Sequence, residues 1–342
     1  MIGVGVVGYG YWGPNLVRNF AETPGSRVVA VSDLSPERLQ RVTHRYPGVA
    51  TTTDADALIT NPAVDAVVIA TPVATHFDLA MRALTAGKHV WVEKPLAATS
   101  DEARRLRDEA ATRRRVLMVD HTFVYTGAVR KIGELVRAGA LGDLYYYDSV
   151  RVNLGLFQYD VDVMWDLAVH DLSIMDYVLD ARPRAVSALG SAHVPGRTAN
   201  VAYLTCLFED SLIAHFHVNW LAPVKVRRTL IGGDKQMIVF DDLEPSEKVR
   251  VYDKGITVDP GLEGRHEMLV SYRTGDMWAP QLDATEALSG AARDFLGSID
   301  TGDEPITSGA VGLRVVRLLE AATESMRHQG QLIEVDLTEA GE

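Results

Sequence analysis

At 342 residues the chain is longer than one ordinary hydrophobic core requires, which implies two domains. Apolar residues at 47% and charged residues at 23% exclude a disordered chain, and a formal net charge of −12 disfavours adhesion to a phosphate backbone. Cys206 is the single cysteine, so no internal disulfide can form, and no uninterrupted apolar run is long enough to span a bilayer. The N-terminus enters strand-like sequence without the basic region of a signal peptide. The expectation is a cytoplasmic protein with neither nucleic acid nor membrane as partner.

In chain order, the runs 2–7, 28–31, 66–70, 89–92 and 116–119 are short and apolar, as strands buried on both faces are. Between them, Ser35-Pro36 reads as an N-cap followed by proline at the first helical position, with Leu39 and Val42 facing inward. Thr75 is the expected cap of the next helix, which carries Leu79, Ala80, Ala83 and Leu84 inward and ends at Gly87. Ser100, followed by Asp101 and Glu102, opens another. The Arg113-Arg114-Arg115 run at its end complements the helix dipole. This alternation predicts an α/β architecture: a Rossmann-type, doubly wound parallel sheet over residues 1–121.

After residue 122 the texture changes. A helix over 128–138 leads to a strand over 144–152 with three tyrosines, and a helix over 169–179 follows Trp165-Asp166. Strands over 185–192, 201–208, 212–220, 226–232, 236–241 and 249–252 follow with short turns between them. Residues 122–342 therefore read as an α+β domain built on a large, mostly antiparallel sheet, for substrate binding and oligomerisation. A final helix over 308–328 carries Val311, Leu313, Val315, Leu318, Leu319 and Ala322, and it is expected to pack back on the Rossmann domain.

Gly8-Tyr9-Gly10-Tyr11-Trp12-Gly13 directly follows the first strand and opens a helix. The three glycines suit a tight turn, close approach of backbone to a pyrophosphate, and close packing of helix on strand. The helix N-terminus then offers N–H groups and a positive dipole end to phosphate. Asp33 ends the second strand where the adenosine ribose should lie. Its carboxylate would repel a 2′-phosphate, which favours NAD over NADP, although Arg38 one helical turn on softens that preference. The plainer alternative is that Asp33 caps the turn before Ser35.

Glu93-Lys94-Pro95 lies just past the strand at 89–92, on the edge where such sheets bind ligands. A partly desolvated lysine there can exchange protons near neutrality. Asp166 and His170 are spaced i, i+4, which puts both on one face of a helix. An imidazole suits removal of a proton from an alcohol while hydride leaves the same carbon. Singly, the first motif reads as a surface turn and the second as a structural histidine. Their occurrence with the glycine loop, in this order, turns the reading to chemistry.

These residues carry a resemblance. The glycine loop, Ala70-Thr71-Pro72 with His76, Glu93-Lys94-Pro95 and Asp166 with His170 resemble the glucose–fructose oxidoreductase / inositol dehydrogenase / MocA family over nearly the whole chain. Arg151-Val152-Asn153-Leu154-Gly155 and the segment 165–171 are similar to members acting on nucleotide-linked or otherwise modified sugars. The resemblance implies a nicotinamide-dependent sugar dehydrogenase or ketoreductase. It implies Lys94 between nicotinamide ribose and substrate hydroxyl, His170 as general acid/base, and Asp166 holding the sugar. Glu93 would bind cofactor ribose, Thr71, Pro72 and His76 would line the nicotinamide side, and Tyr11, Trp12 and Arg38 would complete the cofactor site. His121, Tyr125, Arg151 and Asn153 would contact substrate, with Arg151 favouring an anionic one. It also implies a dimer or tetramer joined through the open face of the second sheet.

Three other functions compete: a cyclitol dehydrogenase with the same chemistry, a non-catalytic NAD-sensing regulator, and a redox-assisted glycosidase. His215 and His217 alternate on one strand and face one side of the sheet. They lack a third ligand at suitable spacing, so no metal is expected.

Overall fold

The computed structural model describes residues 1–155, 161–194, 198–253, 255–258 and 270–337. The chain divides into two compact units, Met1–Thr126 with Thr285–Glu320, and Gly127–Ala284 with Ala321–Glu342. A single boundary after residue 121 does not describe this division, because the chain returns to the first unit near its end.

The first unit alternates strand and helix: β1 (Ile2–Val7), α1 (Gly13–Glu22), β2 (Ser26–Ser32), α2 (Pro36–Arg45), β3 (Ala50–Thr52), α3 (Ala55–Ile59), β4 (Ala66–Ile69), α4 (His76–Thr85), β5 (His89–Glu93), α5 (Ser100–Arg113) and β6 (Leu117–Asp120). All six strands run parallel in the order β3-β2-β1-β4-β5-β6, so the topology reverses direction between β1 and β4. Every residue of β4 and β6 is buried, which is why these strands read as unbroken apolar runs rather than alternating ones. β3 and α3 are too short to show a period and were not foreseen. Ser35 caps α2 as expected, its hydroxyl accepting from the Arg38 N–H at 3.3 Å. Thr75 does not cap α4; its hydroxyl donates to the Thr71 hydroxyl and Pro72 carbonyl instead. Ser100 is the first residue of α5, but the cap is Thr99, which accepts from the Glu102 N–H.

The second unit holds α6 (Gly127–Arg137), β7 (Leu144–Leu154), a π-helical turn (Met164–Ala168) running directly into α7 (Val169–Val178), and then strands. These are β8 (Ala185–Ser191), β9 (Val201–Leu207), β10 (Ile213–Asn219), β11 (Leu221–Gly233), β12 (Met237–Asp241), β13 (Val249–Tyr252), β14 (Gly255–Val258), β15 (Val270–Arg273), β16 (Met277–Trp278) and β17 (Ile333–Glu334). Eight of them join β7 in one nine-stranded sheet, in the order β16-β13-β12-β11-β7-β10-β9-β8-β17, while β14 and β15 pair separately. The large sheet is antiparallel except at its centre, where β7 and β10 run parallel. One face buries Tyr147, Leu204, Phe216 and Val218. On the other face Leu189, Tyr203 and Ile213 are exposed. His215 and His217 share that second face as expected, and the Tyr203 ring stacks against both, at 6.2 and 4.5 Å between centroids. Among the described residues no group of three or more His, Cys, Asp or Glu could hold a metal ion, and no helix is long and apolar enough to cross a membrane.

The return of the chain to the first unit has a packing cause. Helix α8 (Ala287–Thr301) carries Phe295, which meets Phe20 of α1 and Trp91 of β5 edge to face at 6.2 and 5.6 Å; Phe20 and Trp91 meet at 5.4 Å. Each such pair adds about 0.5–1.5 kcal/mol beyond the burial of its area. At the start of α8, Glu286 accepts one N–H from each terminal guanidinium nitrogen of Arg18. Helix α9 (Gly309–Arg327) begins in the first unit and ends in the second.

His89 opens β5 with its Nδ1 accepting the Val116 N–H at 3.1 Å. Burial, and then the Arg115 charge, lower its pKa from the ordinary 6.5 to about 4. The unfolded chain therefore binds a proton that the folded chain refuses between those values, and stability falls as pH drops from 6.5 towards 4. His89→Gln keeps an acceptor without the titration. Thermal melts should show its Tm declining less steeply than wild type over that acid window; parallel Tm curves would contradict the assignment.

Candidate active site

Because the strands of the first unit are parallel, residues that follow β1, β2, β4, β5 and β6 emerge at one edge of the sheet. After β1, Gly8 adopts φ 99°, and a Cβ there would lie 2.4 Å from the Ala70 carbonyl oxygen. A Cβ on Gly13 would lie 2.2 Å from the Gly8 carbonyl oxygen. The chain's own packing thus demands both glycines. Gly10 differs, since a Cβ there would meet nothing closer than the Arg38 guanidinium at 3.7 Å. Its missing side chain leaves open a cradle for something outside the chain. Helix α1 begins beside it with Pro14 in its first turn, no acidic residue there and no side chain capping its N–H groups, which suits a phosphate.

Asp33, after β2, does two things. One oxygen accepts the Tyr9 N–H at 2.7 Å and the other accepts the Ser35 N–H at 2.8 Å, so the carboxylate ties the glycine loop to the next turn. The capping role that was the plainer reading is real. The Arg38 guanidinium lies 3.4 Å from the same carboxylate. Tyr11 is 91% exposed, whereas the Trp12 indole N–H donates to Asp120 at 3.1 Å and pins the loop to the end of β6.

At the ends of β4 and β5, the buried His76 ring bridges two loops, its nitrogens 2.8 Å from the carbonyl oxygens of Thr71 and Pro95. Thr71 is half-buried and Pro72 exposed. Glu93 and Lys94 are half-buried, and the Lys94–Pro95 peptide is cis. Asp120 stands opposite Glu93 in the ladder. Burial and that like charge push the Glu93 carboxyl well above the usual carboxylate range. Its Oε1 is enclosed and accepts no hydrogen bond among the described residues. An orphaned acceptor, an open helix N-terminus and an unfilled glycine cradle on one edge fit a dinucleotide.

In the second unit, Asp166 lies in the π-helical turn and His170 in the first turn of α7, both half-buried. The two were expected on one regular helix; the turn between them is wider. The Trp220 indole N–H donates to Asp166 at 3.1 Å. Asp171, beside His170, accepts two N–H groups of Arg151, at 2.8 and 2.9 Å.

Comparison with known proteins agrees with this geometry. Residues 2–121 match a family described as "Oxidoreductase family, NAD-binding Rossmann fold", and residues 129–239 match the "GFO/IDH/MocA C-terminal domain". The chain belongs to the Gfo/Idh/MocA oxidoreductases. It is 28% identical to UDP-N-acetylglucosamine 3-dehydrogenase of Acidithiobacillus ferrooxidans over 91% of this chain and 93% of that one. It is 24% identical to myo-inositol 2-dehydrogenase of Thermotoga maritima over 95% and 96%. A solved structure of the A. ferrooxidans UDP-N-acetylglucosamine 3-dehydrogenase superposes with a TM-score of 0.77 at 28% identity, covering 94% of this chain and 96% of that one. The aldose-aldose oxidoreductase of Caulobacter crescentus shares the fold, with a TM-score of 0.82 at 23% identity over 98% and 99%.

Within this Gfo/Idh/MocA chain, two expected substrate contacts are corrected. Arg151 is 3% exposed with two of its guanidinium nitrogens bonded to Asp171, because its position on β7 faces the buried side of the sheet. The Tyr125 hydroxyl donates to Asp294 at 2.6 Å and lies 3.2 Å from Thr307, so it braces α8 instead of facing a ligand. His121 is buried at the end of β6, and Asn153 is half-exposed near the end of β7. Three residues of the site were missed: Asp120, Asp171 and Trp220. The first two sit next to singled-out histidines, and that adjacency was the available signal; nothing in the sequence marked Trp220 as a partner of Asp166.

Proposed function

We propose that the protein transfers a hydride between NAD and one secondary alcohol or ketone of a sugar, with nucleotide-linked sugars as the leading class. The observation that carries this reading is Lys94, half-buried directly after β5 on the edge that also bears the open glycine cradle. A bound nicotinamide supplies the hydride acceptor or donor. Lys94, as an ammonium, donates to the substrate oxygen and stabilises the developing alkoxide; His170 takes or returns the hydroxyl proton; Asp166 orients the sugar. With Arg151 committed to Asp171, the case for a nucleotide-linked substrate rests on relatives such as the UDP-N-acetylglucosamine 3-dehydrogenase, and the inositol dehydrogenases support a cyclitol as the second reading.

Asp33 and its partners support NAD over NADP, since the carboxylate stands where a 2′-phosphate would need a cation and it already occupies Arg38. The exposed Leu189, Tyr203 and Ile213 support a homodimer or homotetramer joined through the open face of the second-unit sheet, and a monomeric mass by light scattering would refute that. The lone, buried Cys206 suits the cytoplasm.

The deciding experiment follows NADH absorbance across sugars, UDP-sugars and inositols. Losing one oxyanion donor costs about 3–4 kcal/mol, so Lys94→Ala should lower turnover by about two or more orders of magnitude while NAD still binds. Unchanged turnover removes Lys94 from the mechanism. Asp33→Ser, which frees Arg38, should raise the NADP-to-NAD ratio of kcat/KM at least about tenfold, as loss of one charge repulsion of this size implies; an unchanged ratio would refute the cofactor assignment.

A further inference from the structure

Arg151 and Asp171 bury a full pair of charges, each 3% exposed, where a hydrophobic pair of similar volume would stabilise the fold as well or better. What such a pair adds is direction. Arg151 sits on β7 at the centre of the sheet, in register with Val218 of β10 and Arg227 of β11, so its backbone is held by strands on both sides. Its planar fork grips both oxygens of Asp171, and a two-point grip fixes rotation of the helix where a single bond would not.

The segment being gripped needs this. The π-helical turn at Met164–Ala168 departs from the regular α-helical ladder just ahead of His170, so Asp166 and His170 do not have the relative direction of an i, i+4 pair on an α-helix. A second anchor acts on the turn itself, where the Trp220 indole N–H holds Asp166. Trp220 is 1% exposed and its own backbone is held by Asn200 and Gly155. Gly155 also admits the indole, since a Cβ there would lie 2.4 Å from the Trp220 ring.

We infer that Arg151, Asp171 and Trp220 are positioning residues that orient Asp166 and His170 from the sheet below. Their catalytic consequence rests on the proposed roles of Asp166 and His170; their structural consequence does not.

The test uses the full chain. Arg151→Met/Asp171→Leu removes both charges together and leaves no unpaired ion, so its Tm should stay within a few degrees of wild type, with NADH affinity unchanged. The His170 ring-proton NMR resonance, assigned with His170→Gln, should split or broaden while those of the other histidines stay put. With the substrate found in the NADH screen, kcat should fall about a hundredfold, as small misplacement of a reacting group implies. Trp220→Phe keeps an aromatic ring in the site but removes the indole N–H together with the pyrrole half of the bicycle; it should raise KM at least about tenfold, the loss expected of one bond to a charged group. An intact His170 resonance in the double variant overturns the inference, as does a collapse of its Tm, which would make the pair a fold stabiliser. If His170→Gln turns over like wild type, the proposed chemistry fails instead, and the NMR arm still judges the positioning role.

Discussion

A parallel sheet completes its ladders only when every crossover carries the chain back to the same starting end, and in the first unit this requirement delivers distant segments of sequence to one edge. The glycine loop, Asp33, Thr71, Lys94 and Asp120 come from five different strand ends, yet all emerge on that edge. The local details then follow from crowding. Gly8 must pass under the Ala70 carbonyl, Gly13 must pass over the Gly8 carbonyl, and Asp33 stitches the loop to the neighbouring turn. Beside that tight packing, Gly10 is uncrowded and no side chain caps the start of α1.

The two units handle buried charge in opposite ways. Glu93 faces a like charge, Asp120, and retains its proton well above the usual range. Protonation of that carboxyl is favoured by the fold, so its contribution to stability is present at low pH and is lost as pH rises through the raised value. Arg151 faces an opposite charge and stays ionised. The first arrangement leaves a carboxyl able to donate or accept at the end of β5. The second converts desolvated charge into rigidity beneath His170. Neither is the most economical way to fill the space, and both lie next to residues to which chemical roles are proposed above, where departures from economical packing are expected.

Much of the fold was legible because burial on both faces, or on one, imprints itself as a run or an alternation. Five strands of the parallel sheet and the strands of the antiparallel one fell close to their expected places for that reason. Elements below one period escaped: β3 and α3 of three and five residues, and β16 and β17 of two each. Nor were β14, β15 and the fifteen-residue α8 foreseen. The cap shifted by a residue from Ser100 to Thr99, because both hydroxyls can cap and backbone geometry chooses between them. Arg151 was misread for a related cause. An arginine near a motif looks like a ligand contact, and its burial becomes visible only once the register of β7 is known.

From the sequence alone came the dinucleotide fold, the identity of the glycine loop, and the residue types suited to hydride chemistry, because each is a matter of local spacing and side-chain kind. The tertiary structure alone decided that Arg151 serves Asp171, that Trp220 serves Asp166, that burial and then Asp120 raise the Glu93 carboxyl, and that residues 285–320 return to the first unit through Phe295. Those are pairings between residues tens to hundreds of positions apart, and their energies depend on burial and direction, which no single segment of chain possesses before it folds.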